Sequence, residues 1–304
     1  MKIIVTGATG FIGRSLIARC VAEKHDVVAL TRNVNSGQRA LPAGVKVIAW
    51  DGATGGEWAR EVDGADAIVN LAGESIGAKR WTPARKSLIV ESRVQAARAI
   101  RDAIAAAGRK PAVLVNSSAV GYYGSVVEGD VTEDHQPGTG FLAETCVRWE
   151  AEAVTIAPLG PRVVMIRTGV VLGEAGGALE RMTLPFKLFA GGPIGSGAQW
   201  FPWIHRDDVV NIIMFALQNS NVSGPINLTA PESVTMRTFC EALGKAMHRP
   251  SWAPVPAPVL RLALGEMAGM ILTGQRVVPA KLKELGYEFK FPRLAMALAD
   301  VIAE

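Results

Sequence analysis

Through the first 170 residues, short unbroken apolar runs alternate with longer stretches whose apolar positions recur every three or four residues. The runs KIIVT (2–6), DVVAL (26–30), VKVIA (45–49), DAIVNL (66–71), AVLVN (112–116) and RVVMIR (162–167) show little polar alternation. Strands covered on both faces read this way, because neither face meets water. Residues 11–22 place Phe11, Ile12, Leu16, Ile17, Cys20 and Val21 on one side of a helix. Residues 83–107 predict a long helix, with Pro83 near its first turn and Gly108 just past its end. Such alternation specifies an α/β fold, a doubly wound parallel sheet with helices on both faces.

After about residue 173 the pattern changes. Glycine- and proline-rich segments appear, GEAGGA at 173–178 and AGGPIGSGAQWFPWIH at 190–205. Helical patterns follow at 207–219, 235–247 and 256–272, without a regular strand–helix rhythm. These residues predict a smaller C-terminal lobe over the sheet's edge. The most apolar stretch, 255–272, is interrupted by Arg261 and Glu266, and reads as a helix packed on the core or on a partner. The tetrapeptide GATG occurs at 7–10 and again at 52–55, but the second copy opens no comparable helix and is read as chance.

Composition narrows the class. The 304 residues are 49% hydrophobic and 20% charged, in the ordinary globular range. No stretch reaches the ~18 apolar residues of a membrane span. The opening MKIIVTG reads as a buried strand and not as a secretory leader, so a cytoplasmic location is expected. Cys20, Cys146 and Cys240 are isolated, as are His25, His135, His205 and His248, which fits a reducing compartment and predicts no metal site. A net charge of +4 does not by itself imply nucleic-acid binding. Nine of the basic residues nevertheless fall between Lys79 and Lys110, against Glu91 and Asp102. They form a solvated helix face, or one or two of them meet a phosphate-bearing ligand.

The first strand runs into TGATGFIGRSL, with Gly7, Gly10 and Gly13 between a buried strand and an amphipathic helix. Glycines there let the backbone approach a pyrophosphate, and the helix N-terminus offers free N–H groups and a favourable dipole. A tight turn that binds nothing is the alternative; the strand before and the helix after favour a dinucleotide. An acid at the end of the second strand would bind the ribose 2′-hydroxyl of NAD. The chain has Thr31-Arg32-Asn33 there. Arg32 suits the 2′-phosphate of NADP, unless it is an ordinary exposed arginine, so NADP(H) is the expected cofactor. The implied organisation is a Rossmann-type NADP-binding domain over 1–173, completed by 204–228, with 174–304 mainly a C-terminal substrate lobe.

The loop TGATGFIG, NLAG at 70–73, and strand-end serines followed by tyrosine and glycine resemble the short-chain dehydrogenase/reductase superfamily. The extended, sugar-nucleotide-epimerase-like branch is the nearest likeness. LAGES, SSAVGYYG, IRTGVVLG and GGPIGSGAQWFPWIH look like an atypical epimerase group with a C-terminal domain of unassigned function. The resemblance implies that Gly7, Gly10, Phe11, Ile12 and Gly13 hold the pyrophosphate. It sets Thr31 and Arg32 at the ribose phosphate and runs Leu71 and Ala72 past the adenosine ribose. Arg93 falls where extended members usually have an asparagine, and can reach the cofactor phosphates.

The same resemblance implies a Tyr-x-x-x-Lys pair on the helix 141–153, where lysine lowers a tyrosine pKa from ~10 for proton transfer. FLAETCVRWEAEA has neither residue: one register gives Leu142 and Cys146, the other Phe141 and Thr145. Ser118, Tyr122 and Tyr123 are then the candidate catalytic groups, with Glu144 or Glu74 as acid/base. Alternatively Tyr123 packs and the serines satisfy local backbone. Trp200, Phe201, Trp203 and His205 either line the substrate cleft or fill the core between lobes, and Asp207 and Asp208 are expected to cap the next helix. The expected function is an NADP(H)-binding epimerase-like or oxidoreductase-like enzyme for a small substrate, a sugar nucleotide or another carbonyl or hydroxyl compound. The alternative is a catalytically inactive NADP(H) sensor or regulatory module. No nucleic-acid or membrane partner is expected, and the reading leaves room for a homodimer.

Overall fold

The structure, a computed structural model, describes residues 1–174 and 176–302. The first half alternates strand and helix: β1 (Lys2–Thr6), α1 (Phe11–Ala22), β2 (Asp26–Thr31), α2 (Val34–Ala40), β3 (Lys46–Ala49), β4 (Ala67–Asn70), α3 (Pro83–Ala106), β5 (Val113–Ala119), the short β6 (Asp130–Val131), α4 (Phe141–Val154), β7 (Arg162–Thr168) and β8 (Val170–Leu172). The second half holds α5 (Leu179–Lys187), β9 (Trp200–Phe201), β10 (Trp203–His205), α6 (Arg206–Gln218), β11 (Gly224–Leu228), β12 (Val234–Thr235), α7 (Met236–Ala246), α8 (Ala257–Leu264), α9 (Gly269–Leu272), β13 (Arg276–Val277), α10 (Ala280–Glu284) and α11 (Leu294–Ile302).

Seven strands form one sheet in the order β11-β7-β5-β4-β1-β2-β3, every neighbouring pair parallel. This is the expected Rossmann-like α/β architecture. From β1 the chain winds outward through β2 and β3, then returns to the other side of β1 to lay down β4. That reversal opens a crevice at the carboxyl ends of β1 and β4, where doubly wound folds receive ligands. The apolar runs account for the layers. Leu16, Ile17, Ile212 and Ile213 of α1 and α6 cover one face with Ile3, Val5 and Val69; Ile100 and Ile104 of α3 cover the other with Ile4, Ile68 and Leu114.

A third cluster, with Phe186, Trp203, Phe239, Leu243 and Leu298, makes the core of the second lobe. The chain then re-enters the first: β13 pairs with β6, and Leu282 of α10 is buried among the residues of the α1/α6 face. Among the described residues no helix is long and apolar enough to cross a membrane.

Several elements differ from the sequence expectation, among them the edge strand β11 and the helices α10 and α11, which were not expected. β5 continues to Ala119, so Ser117 and Ser118 lie within the strand, opposite Ile166 and Arg167. The helix expected over 256–272 is broken at Gly265, whose φ of +61° ends α8 before a 3-10 turn and α9. Helix α5 was not expected, since Pro185 inside it and glycines before it mask its period.

Candidate functional site

The turn after β1 is built against the end of β4. Gly7 has φ +62°, and a side chain on it would strike the Leu71 carbonyl. One on Gly13 would strike the carbonyls of Gly7 and Ala8, and Gly10 N–H donates to Gly7 O at 2.9 Å. Beneath the turn, Thr6 Oγ1 donates to Asn70 Oδ1 (2.6 Å) and accepts from the Leu71 and Ala72 amides (both 3.1 Å); Asn70 in turn donates to Asn116 (2.7 Å). This buried chain of polar groups fixes the ends of β1, β4 and β5 together. Helix α1 starts at Gly10 with no side-chain cap, leaving its first amides open to an anion. The Phe11 ring lies under Gly173 and Gly177, 5.4 Å from the Arg206 guanidinium, while Ile12 packs on the α1/α6 core.

At the end of β2, Thr31 is buried and the Arg32 side chain is 82% exposed. Asn33 caps α2, accepting from Ser36 N–H at 3.0 Å, so residues 31–33 present one cation and no carboxylate. Arg32 borders a surface hollow that Trp50, Asp51, Thr54 and Gly55 help to line. The loop after β4 brings Glu74 to within 3.8 Å of Arg32 Nη1, with its other oxygen 3.0 Å from Arg85 Nη1. Arg93 donates to the carbonyls of Glu74 (3.1 Å) and Ile89 (2.8 Å), and its guanidinium lies 4.9 Å from the Trp149 ring. Burial lowers its pKa. Of the residues assigned to the cofactor from the sequence, Gly7, Arg32 and Arg93 meet the segment Leu71 to Glu74, while Phe11 and Ile12 pack elsewhere.

The hydroxyl cluster is largely enclosed. Ser118 is 4% exposed and Tyr123 1%. Ser118 Oγ donates to Glu150 Oε1 at 2.6 Å, and Tyr123 Oη donates to Asn227 Oδ1 at 2.6 Å. Arg167 joins the two. It donates to both Glu150 oxygens (2.9 and 2.8 Å), to Tyr123 Oη (3.0 Å) and to the Glu133 carbonyl (3.0 Å). The cause is the pleat: Ser118 is the register partner of Arg167, and both side chains turn toward α4, where Glu150 waits. Burial pushes the Tyr123 phenol up to about 12, although Arg167 pulls the other way. Tyr122 is half-buried, with the Arg167 guanidinium 3.6 Å from its ring centre. Thus Ser118 and Tyr123 point into the structure, and only Tyr122 of the three keeps partial access to solvent.

On α4, Leu142 faces Gly121, and Cys146 lies 3.8 Å from the Ala119 carbonyl with its thiol pushed up to about 11 by burial. Phe201, Trp203 and His205 are buried in the second lobe, so of the aromatic segment only Trp200 is half-exposed, beside Arg276 at 5.2 Å. The α6 cap is not an aspartate. His205 Nδ1 accepts from the Asp207 amide (3.1 Å), while Asp208 accepts from the Lys290 and Phe291 amides (2.7 and 2.9 Å) and ties the C-terminal segment down. Sequence reasoning missed the Arg167–Glu150 pair; the signal was a charged residue at the end of the buried run RVVMIR.

The sequence profile of the NAD dependent epimerase/dehydratase family matches residues 3–228, and that of a domain of unknown function (DUF1731) matches 255–301. The chain is 44% identical to the epimerase family protein SDR39U1 homolog, chloroplastic, of Arabidopsis thaliana, over 99% of this chain and 87% of that one. It is 40% identical to the epimerase family protein YfhF of Bacillus subtilis, over 100% and 99%. The crystal structure of human epimerase family protein SDR39U1 (isoform 2) with NADPH superposes with a TM-score of 0.90 at 35% identity, covering all of both chains.

Proposed function

The chain belongs to the NAD dependent epimerase/dehydratase family, and from that premise we propose that it binds NADP(H) and acts as an epimerase-like or oxidoreductase-like protein on a small carbonyl or hydroxyl compound, a sugar nucleotide among them. The observation that carries the cofactor is the pairing of the glycine turn with Arg32. Gly7 and Gly13 leave a cradle that any side chain would fill, and α1 offers uncapped amides to the pyrophosphate. Thr31 and Arg32 then reach the ribose phosphate, Leu71 and Ala72 run past the adenosine ribose, and Arg93 serves the inner phosphates. The human relative, solved with NADPH, supports the same choice.

Bound NADPH would supply a hydride at its nicotinamide. The chain's part is to hold the dinucleotide at the β1–β4 crevice and to present substrate to it from the lobe built mainly of residues 174–304. Ser118 and Tyr123 brace this frame through Glu150 and Asn227; Tyr122 is the hydroxyl left to orient a substrate. A second reading, an NADP(H)-responsive regulatory protein without turnover, draws support from the same enclosure of Ser118 and Tyr123 and from Leu142 and Cys146 on α4.

Titrating NADPH and NADH into wild type and Arg32→Ala tests the cofactor. A charge-assisted contact to the phosphate is worth about 1.5–3 kcal/mol, so wild type should prefer NADPH by roughly tenfold to a hundredfold. The mutant should lose that preference. Equal affinities in wild type, or an unchanged ratio in the mutant, would overturn the assignment.

A further inference from the structure

Arg32 does not stand alone at the ribose end. Glu74 lies between two guanidiniums, with Oε2 3.8 Å from Arg32 Nη1 and Oε1 3.0 Å from Arg85 Nη1. The three side chains differ sharply in exposure, at 82% for Arg32, 27% for Glu74 and 10% for Arg85. Arg85 also donates to the Ser75 carbonyl, and its Nε is buried without a partner. Its location is not what helix electrostatics favours, because it stands in the first turn of α3, at the positive end of the dipole. The acceptor that compensates it is Glu74. The Glu74 backbone is fixed in turn, its N–H donating to Ser92 Oγ (3.1 Å) and its carbonyl accepting from Arg93 (3.1 Å).

A carboxylate beside the arginine that reads a phosphate acts against the phosphate in two ways. It competes for the guanidinium, and it repels the incoming anion. We propose that Glu74 and Arg85 together set the strength of discrimination for the 2′-phosphate: Glu74 weakens Arg32 as a phosphate partner, and Arg85 limits that weakening by holding the carboxylate's other oxygen. This rests on the reading of Arg32 given above. It makes Glu74 a specificity-determining residue and Arg85 a positioning residue that acts through it.

The test is a double-mutant cycle read by NADPH and NADH titration. Glu74→Gln keeps the shape and removes the charge, and should tighten NADPH by about three- to tenfold while NADH changes by less than about twofold. Arg85→Met should weaken NADPH by a similar factor, again sparing NADH, and should have no effect on NADPH in the Glu74→Gln background. Equal changes for both cofactors, weaker NADPH binding by Glu74→Gln, or additive effects in the double variant would overturn the proposal. If Arg85→Met does not fold, the Glu74→Gln titration alone decides. Arg32→Ala separates the two layers. An unchanged NADPH-to-NADH ratio there defeats the cofactor assignment and this inference with it. If the ratio collapses in Arg32→Ala but stays fixed in Glu74→Gln, only the inference falls.

Discussion

Arg167 is 3% exposed and Glu150 7%, and each supplies what the other would otherwise lack. Burial alone would loosen the Arg167 proton, but the hydrogen bonds to Glu150 outweigh it and raise the pKa. Removing one member of such a pair leaves a buried charge without a partner. Arg167→Met should therefore cost about 3–5 kcal/mol of stability, and Tyr123→Phe about 1–2 kcal/mol, both read by denaturant unfolding. NADPH affinity should stay at the wild-type value in each. A variant that kept its stability but lost binding would show that the network belongs to the cofactor site. Residue types left packing and chemistry both open for Tyr123 and did not by themselves pair Arg167 with Glu150. Ser118 and Tyr123 lay in a motif that suggested chemistry, but what a hydroxyl does depends on the face of the strand it takes and on which acid reaches it from α4.

Elements were far more legible, because period and punctuation are local. Each of the six expected strands lies in the main sheet, and α1, α3, α6 and α7 fall within a residue or so of their expected spans. Where the reading fell short, the cause was likewise local: Gly265 turns the chain inside an apolar run, and Pro185 sits within a helix. The start of α6 carries a consequence for pH. His205 is 1% exposed, its ring tilted against that of Phe291 with centroids 3.8 Å apart, and with Nε2 3.2 Å from Asp300 Oδ2. Burial lowers its pKa, while Asp207 and Asp300 pull upward, and Arg206 and Lys290 add to the lowering. A lowered folded value means that the unfolded chain takes up the proton first. Stability is then complete above the unfolded pKa of about 6.5 and is lost as pH falls through the folded value. Melting temperatures between about pH 7 and 5 should decline in wild type, and less steeply in His205→Asn, which keeps a side-chain acceptor for the cap. Equal slopes would remove His205 from the account.

For the molecule as a whole, the order of the chain is not the order of its cores. Residues 206–228 return to the first lobe, 234–246 build the second, Leu282 returns again, and Phe291 to Val301 close the second. The strand β13 is pinned beside β6 by Arg276 and Asp130 (2.9 Å), and Asn227 donates to the Val278 carbonyl (3.0 Å). Two lobes laced this way should melt together. Leu282→Ala should cost about 2–5 kcal/mol and lower one calorimetric transition without splitting it; a second peak would show that the lobes unfold separately. The lacing also governs how the protein is made. On the ribosome, β1 to β7 emerge early with their apolar faces ready, but the seat that Leu282 fills stays open until nearly the whole described chain has been translated. Nascent polypeptides of this protein must carry that uncovered surface through most of synthesis, the interval in which an unfinished apolar seat is most exposed to aggregation.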